Sequence, residues 1–148
     1  MFKWRIVANL TNSLGYTASS LGNHEFDDGD GDLEYFCQAV PYPMLACNID
    51  VSQQQPSQLN ELIKPSITET ILHRGVRHVI GIIGYVTPDT KELSNAGADV
   101  KFLDEIPPLQ AEVNRMRNEG INTIIAVGHS GYKKDMEIAE KVTIKTDI

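Results

Sequence analysis

The chain has 148 residues, with 13 Lys and Arg against 20 Asp and Glu, a formal net charge of −7. At 41% hydrophobic and 22% charged it has the composition of one folded domain, not of a disordered segment. No apolar run approaches the roughly 20 residues of a membrane-spanning helix, and acid excess without a Lys/Arg stripe argues against a nucleic-acid polymer or an anionic membrane as partner.

Trp4, Val7, Ala8, Thr11 and Leu14 recur at helical spacing and predict a first helix ending at Gly15, where a left-handed C-cap is wanted. This stretch lacks the apolar core and cleavage site of a signal peptide. Residues 16–21 read as a strand running into the polar cluster Gly22-Asn23-His24-Glu25. Asp30 or Asp32 is placed to cap a second helix with Leu33, Phe36, Cys37 and Val40 inward, stopped by Pro41 and Pro43. A strand at 44–49 precedes a polar, Gln-rich surface loop at 50–59. Residues 67–73 and 76–86 are β-rich runs joined by Arg74-Gly75, a hairpin signal.

Residues 87–100 read as irregular. Pro107 and Pro108 suit the first turn of a third helix, with Leu109, Val113 and Met116 on one face and a stop at Gly120. A buried strand at 122–127 then ends in Gly128-His129-Ser130-Gly131, and a last helix from 133 puts Tyr132, Met136 and Ala139 on one core-facing side. Alternating helices and strands with one hairpin give an α/β class with a mixed sheet. Both polar clusters follow a strand, where ligands gather in open α/β sheets.

Three other features have ordinary readings. Cys37 and Cys47 fit no zinc spacing and read as buried free thiols. His73 and His78 read as exposed strand residues, and Asn9-Leu10-Thr11 is a glycosylation sequon that matters only in a secreted parent. Asp28, Asp30 and Asp32 match the first positions of a calcium loop, but Leu33 and Ala39 stand where its Gly and Glu are required, so the acids read as a solvated, helix-capping loop.

The segment 21–27 packs an amide, an imidazole and two carboxylates into a turn opened by glycine. The Asn23 oxygen is a hard ligand suited to a divalent ion, while His24, pointing differently on an extended chain, is left for catalysis. Asp27, three residues on, is placed to reach a ring nitrogen of His24 and favour the imidazolium. His129 presents a second imidazole among small neighbours.

Together, Leu-Gly-Asn-His-Glu-Phe-Asp-Asp-Gly at 21–29 and Gly-His-Ser-Gly at 128–131 resemble the calcineurin-like metallophosphoesterases of the 5′-nucleotidase and apyrase family, most of all arthropod members. The likeness extends through 41–49, 79–86 and 122–132. It implies part of a metallophosphoesterase αββα sandwich with mixed β-sheets, and two divalent metal ions of Zn or Mn type that activate a hydroxide for in-line attack on phosphorus. It implies Asn23 and His129 as metal ligands, His24 as the catalytic histidine and Asp27 as its orienting partner. The substrate implied is a nucleotide (AMP, ADP or ATP), and the setting extracellular, secreted or surface-anchored.

The family's upstream Asp-x-His and Gly-Asp ligands have no counterpart in the chain, nor do its later Gly-Gly-His or its nucleotide-recognition domain. Residues 1–148 are therefore expected to be an internal part of the N-terminal metallophosphoesterase domain, inactive alone because each ion wants three or more ligands. The alternative is a non-catalytic nucleotide- or metal-binding protein of the same fold.

Overall fold

The computed structural model describes residues 3–53 and 58–142. Helix α1 (Trp4–Thr11) ends four residues before the expected Gly15, which instead closes the following turn at φ 67°, and of the residues at helical spacing only Ala8 is buried. Strand β1 is only Ser19–Ser20, shorter than 16–21, because Met44 and Leu45 are all it pairs with. A 3₁₀ turn follows at Asn23–Phe26.

Helix α2 (Asp30–Ala39) buries Leu33, Phe36 and Cys37 as its spacing requires, with Val40 just beyond. Neither Asp30 nor Asp32 is its cap. That position is Gly29, at φ 85°, and the Asp30 carboxylate instead accepts the distant Gly97 amide at 3.0 and 3.1 Å. The strand expected at 44–49 is two, β2 (Met44–Leu45) and β3 (Ile49–Asp50), in different sheets. Between them the buried Asn48 side chain bonds Val86 N–H and C=O and the Leu103 carbonyl at 2.8–3.0 Å, turning the chain out of the first sheet.

Helix α3 (Leu59–Leu62) and strand β4 (Ile63–Lys64) follow the polar loop, part of which lies outside the described residues. The hairpin is β5 (Ser66–His73) and β6 (Val76–Val86), with Arg74 at φ 50° and Gly75 at φ 79°, the two positive angles of a primed hairpin turn. His73 and His78 are exposed there, as expected. The region read as irregular contains α4 (Thr90–Leu93), and β7 (Lys101–Phe102) follows it.

Helix α5 (Ile106–Asn118) buries Leu109, Val113 and Met116. Strand β8 (Thr123–His129) is not a buried strand: it lies at a sheet edge, with Ile125 and Val127 45% and 41% exposed. In α6 (Tyr132–Lys141) the buried residue is Ile138, whereas Tyr132, Met136 and Ala139 face outward, Tyr132 79% exposed. The helical period was right and its phase wrong, because Tyr132 opens the helix at the protein surface.

The described residues form three small sheets: parallel β1-β2-β4, antiparallel β3-β7, and mixed β5-β6-β8 with β6 and β8 parallel. One core joins α1, α2 and the first sheet through Leu21, Phe26, Leu33, Met44 and Leu59. The second packs α5 and α6 on the β6-β8 face through Ile83, Tyr85, Met116 and Ile138. No helix among the described residues is long and apolar enough to cross a membrane.

Candidate functional site

The first cluster owes its geometry to the 3₁₀ turn. With three residues per turn, side chains at i and i+3 eclipse. Asn23 and Phe26 therefore share the inward side and His24 and Asp27 the outward one. Phe26 is wholly buried, edge-on to Phe102 with centroids 5.3 Å apart, and Asn23, three residues earlier, is buried too. The His24 side chain is 78% exposed, and its Nδ1 lies 2.7 Å from Asp27 Oδ2. That hydrogen bond, with the Asp27 charge, raises the His24 pKa above its ordinary value. The sequence anticipated that Asn23 and His24 diverge, but a tight turn separates them, not an extended chain.

Glu25 closes the turn by accepting the Gly22 amide at 2.7 Å. This contact was missed from sequence, although a Glu three residues after a helix cap is a recognised signature of a start. Asp28 and Asp32 pair with Lys3.

The second cluster arrives from the far end of the chain. His129 ends β8 beside Val86 and its carbonyl accepts the Thr87 amide at 2.8 Å. Its ring comes so near the first turn that a Cβ at Gly22 would stand 3.3 Å from its Cγ. Gly22, Asn23, His24, Glu25, Val127 and His129 thus line one cleft of about 340 Å³. Asp27 lines an adjoining hollow of about 280 Å³ with Lys3 and Trp4, leaving His24 on the ridge between the two.

An amide oxygen and an imidazole on one cleft suit a divalent ion of borderline hardness. They form an incomplete set, since among the described residues no three His, Cys, Asp or Glu side chains gather to hold a metal. Neither cysteine contributes: both are unpaired, Cys37 is buried, Cys47 is half-buried rather than fully so, and burial pushes each thiol up to about 12.

No protein-family model matches the chain. Bovine 5′-nucleotidase is 40% identical over 143 residues, 96% of this chain. Snake venom 5′-nucleotidase of Gloydius brevicauda is 43% identical over 142 residues, and Protein 5NUC of Lutzomyia longipalpis 42% over 142, each 95% of this chain. Over nearly its whole length the chain is similar to one part of these 5′-nucleotidases. It spans 24% of the length of each of these relatives.

Among solved structures, a 5′-nucleotidase precursor from Thermus thermophilus superposes with a TM-score of 0.79 at 37% identity, covering 93% of this chain and 26% of that one. The NAD nucleotidase of Haemophilus influenzae gives 0.82 at 35%, covering 93% and 24%. A calcineurin-like phosphoesterase of Bacillus subtilis, at 24% identity and 0.70 over 86% of this chain and 39% of that one, shares the fold. The α/β class and mixed sheets of this 5′-nucleotidase relative are those of that fold.

Proposed function

We propose that residues 1–148 are an internal part of the N-terminal metallophosphoesterase domain of a 5′-nucleotidase or apyrase, which releases phosphate from AMP, ADP or ATP outside the cell. The observation that carries this is the convergence of Asn23, His24 and His129, from opposite ends of the described chain, on one cleft. The venom origin of one relative supports secretion or surface attachment. Incompleteness is supported by the exposed apolar residues of β8 and by the chain's quarter share of its relatives' length.

Asn23 and His129 would hold one of two divalent ions of Zn or Mn type, completed by donors elsewhere in the parent. When bound, such ions supply Lewis acidity and a hydroxide nucleophile at neutral pH. Among this chain's residues, His24 donates its Nδ1–H to Asp27, which fixes the tautomer and turns Nε2 outward. With its pKa raised, His24 is favoured as the imidazolium, able to stabilise charge developing on the phosphoryl oxygens and to hand a proton to the leaving oxygen. Asp27 orients the ring. Asn23, held inward by the turn, contributes its carbonyl oxygen from a fixed position.

The test is phosphate release from AMP, ADP and ATP by the full-length protein carrying this chain. His24→Ala should lower kcat by about 10²–10⁴-fold, chelation of divalent ions should abolish turnover, and residues 1–148 alone should release no phosphate. Turnover by His24→Ala within about threefold of the unsubstituted protein would sink the assignment. Nucleotide or metal binding without any turnover would favour the non-catalytic reading.

A further inference from the structure

The second cluster sits on an edge strand, so what fixes His129 in place is a question of its own. Along β8, alternate residues face opposite ways. Ile124 joins the second core, while the side chains of Val127 and His129 line the cleft, which the Gly128 backbone also borders. Gly128 faces the core side, where its register partner on β6 is Tyr85. The Tyr85 ring occupies the space a Gly128 side chain would need: a Cβ there would overlap three ring atoms. The ring is itself immobilised, being buried in the second core, and its hydroxyl donates to Asp135 Oδ1 of α6 at 2.9 Å. Burial and the Asp135 contact both push the phenol pKa up, so it stays a donor.

We propose that Tyr85 and Asp135 are positioning residues for His129: the ring sets the height of the Gly128 backbone, and the hydroxyl ties that point to the first turn of α6, so the strand end carrying the imidazole is held against the helix that follows it. This rests on the reading of His129 as a ligand and adds how the chain aims it. The pin acts from behind the sheet and touches neither substrate nor ion. It also explains the local composition, since a residue larger than glycine at 128 and a smaller ring at 85 each break the fit.

The test is calorimetric titration of the full-length protein, freed of metal, with Mn²⁺ as the probe. Tyr85→Phe keeps the ring and removes the hydroxyl, and Asp135→Asn asks the same question from the helix. Each should weaken Mn²⁺ binding by about tenfold, in the range of losses when outer partners of a ligating His are removed. Gly128→Ala should weaken it too, and Gly128→Ala combined with Tyr85→Ala should recover part of that loss. A merely structural role lowers the melting temperature and leaves the Kd for Mn²⁺ where it was. If Tyr85→Phe and Asp135→Asn both bind within about twofold of the unsubstituted protein while His129→Ala loses binding, the positioning role is overturned and the ligand reading stands. If His129→Ala also binds normally, the ligand reading falls and takes the positioning role with it.

Discussion

The two polar clusters look alike in sequence, each a glycine-flanked histidine after a strand, yet they are supported in opposite ways. The turn at 23–26 is anchored by its own side chains, with Leu21 before it and Phe26 within it wholly buried in the larger core. The end of β8 buries little of itself and takes its position from others, chiefly the Tyr85 ring behind Gly128. A site assembled from both halves is therefore as rigid as the weaker one. Damage to the first region should act through stability, and damage to the second through geometry.

Four substitutions break or sharpen that contrast, beginning with the largest effect. Phe26→Ala removes a completely buried ring and its edge contact with Phe102, and should cost about 3–5 kcal/mol in urea unfolding. A cost under about 1 kcal/mol would mean that the turn is not anchored from within. Asn48→Ala leaves the Val86 and Leu103 groups without their partner, and should cost about 2–3 kcal/mol by the same measurement.

Glu112→Gln comes next. Its carboxylate, 14% exposed, accepts from Ser66 Oγ at 2.5 Å and from Arg115 Nη2 at 2.7 Å, joining β5 to α5. Burial raises its pKa, but the hydrogen bonds from Arg115 and Ser66 outweigh this and hold it below the usual 4.5. A depressed carboxylate contributes stability above its unfolded pKa and loses it as pH falls through its folded pKa. The substitution should therefore cost about 1 kcal/mol at neutral pH and flatten the decline of stability on acidification below 4.5, read from melts across pH. Smallest of all, Ile125→Lys in residues 1–148 should change stability by no more than about 0.5 kcal/mol, since β8 has open space over that residue there. A loss of about 2 kcal/mol in the full-length protein but not in residues 1–148 would show that another part of the parent covers β8.

How much of this was legible in the sequence varied with how local the deciding forces are. Helices α2 and α5 and the Arg74-Gly75 hairpin carry their apolar spacing, prolines and turn residues on the surface of the sequence, and their buried faces and turn are as read, the α2 cap excepted. Strands β1, β2 and β3 are pairs of residues defined only by their partners, so a run of β-formers overestimated them. The four-residue helices α3 and α4 are too short to show a period. In α6 the period was visible, but Tyr132 and Met136 were placed inward because nothing local marks the surface.

At the site, the three-residue spacing of His24 and Asp27 announced their hydrogen bond. Its cause, the eclipsing of a 3₁₀ turn, did not show in composition. The part played by Tyr85 was invisible, because it depends on strand register with Gly128 and a hydroxyl reaching Asp135, fifty residues on.

The Asp30 contact with Gly97 spans 67 residues, and Phe26 meets Phe102 across a similar distance. The motif at 21–29 is thus contiguous as letters and distributed as a shape. During synthesis its residues emerge well before the loop and strand that brace them, so the turn is completed late, when the sequence-distant contacts close. A peptide cut to those nine residues would carry Asn23, His24 and Asp27 without His129, and would lose the burial of Leu21 and Phe26 that holds the turn in place.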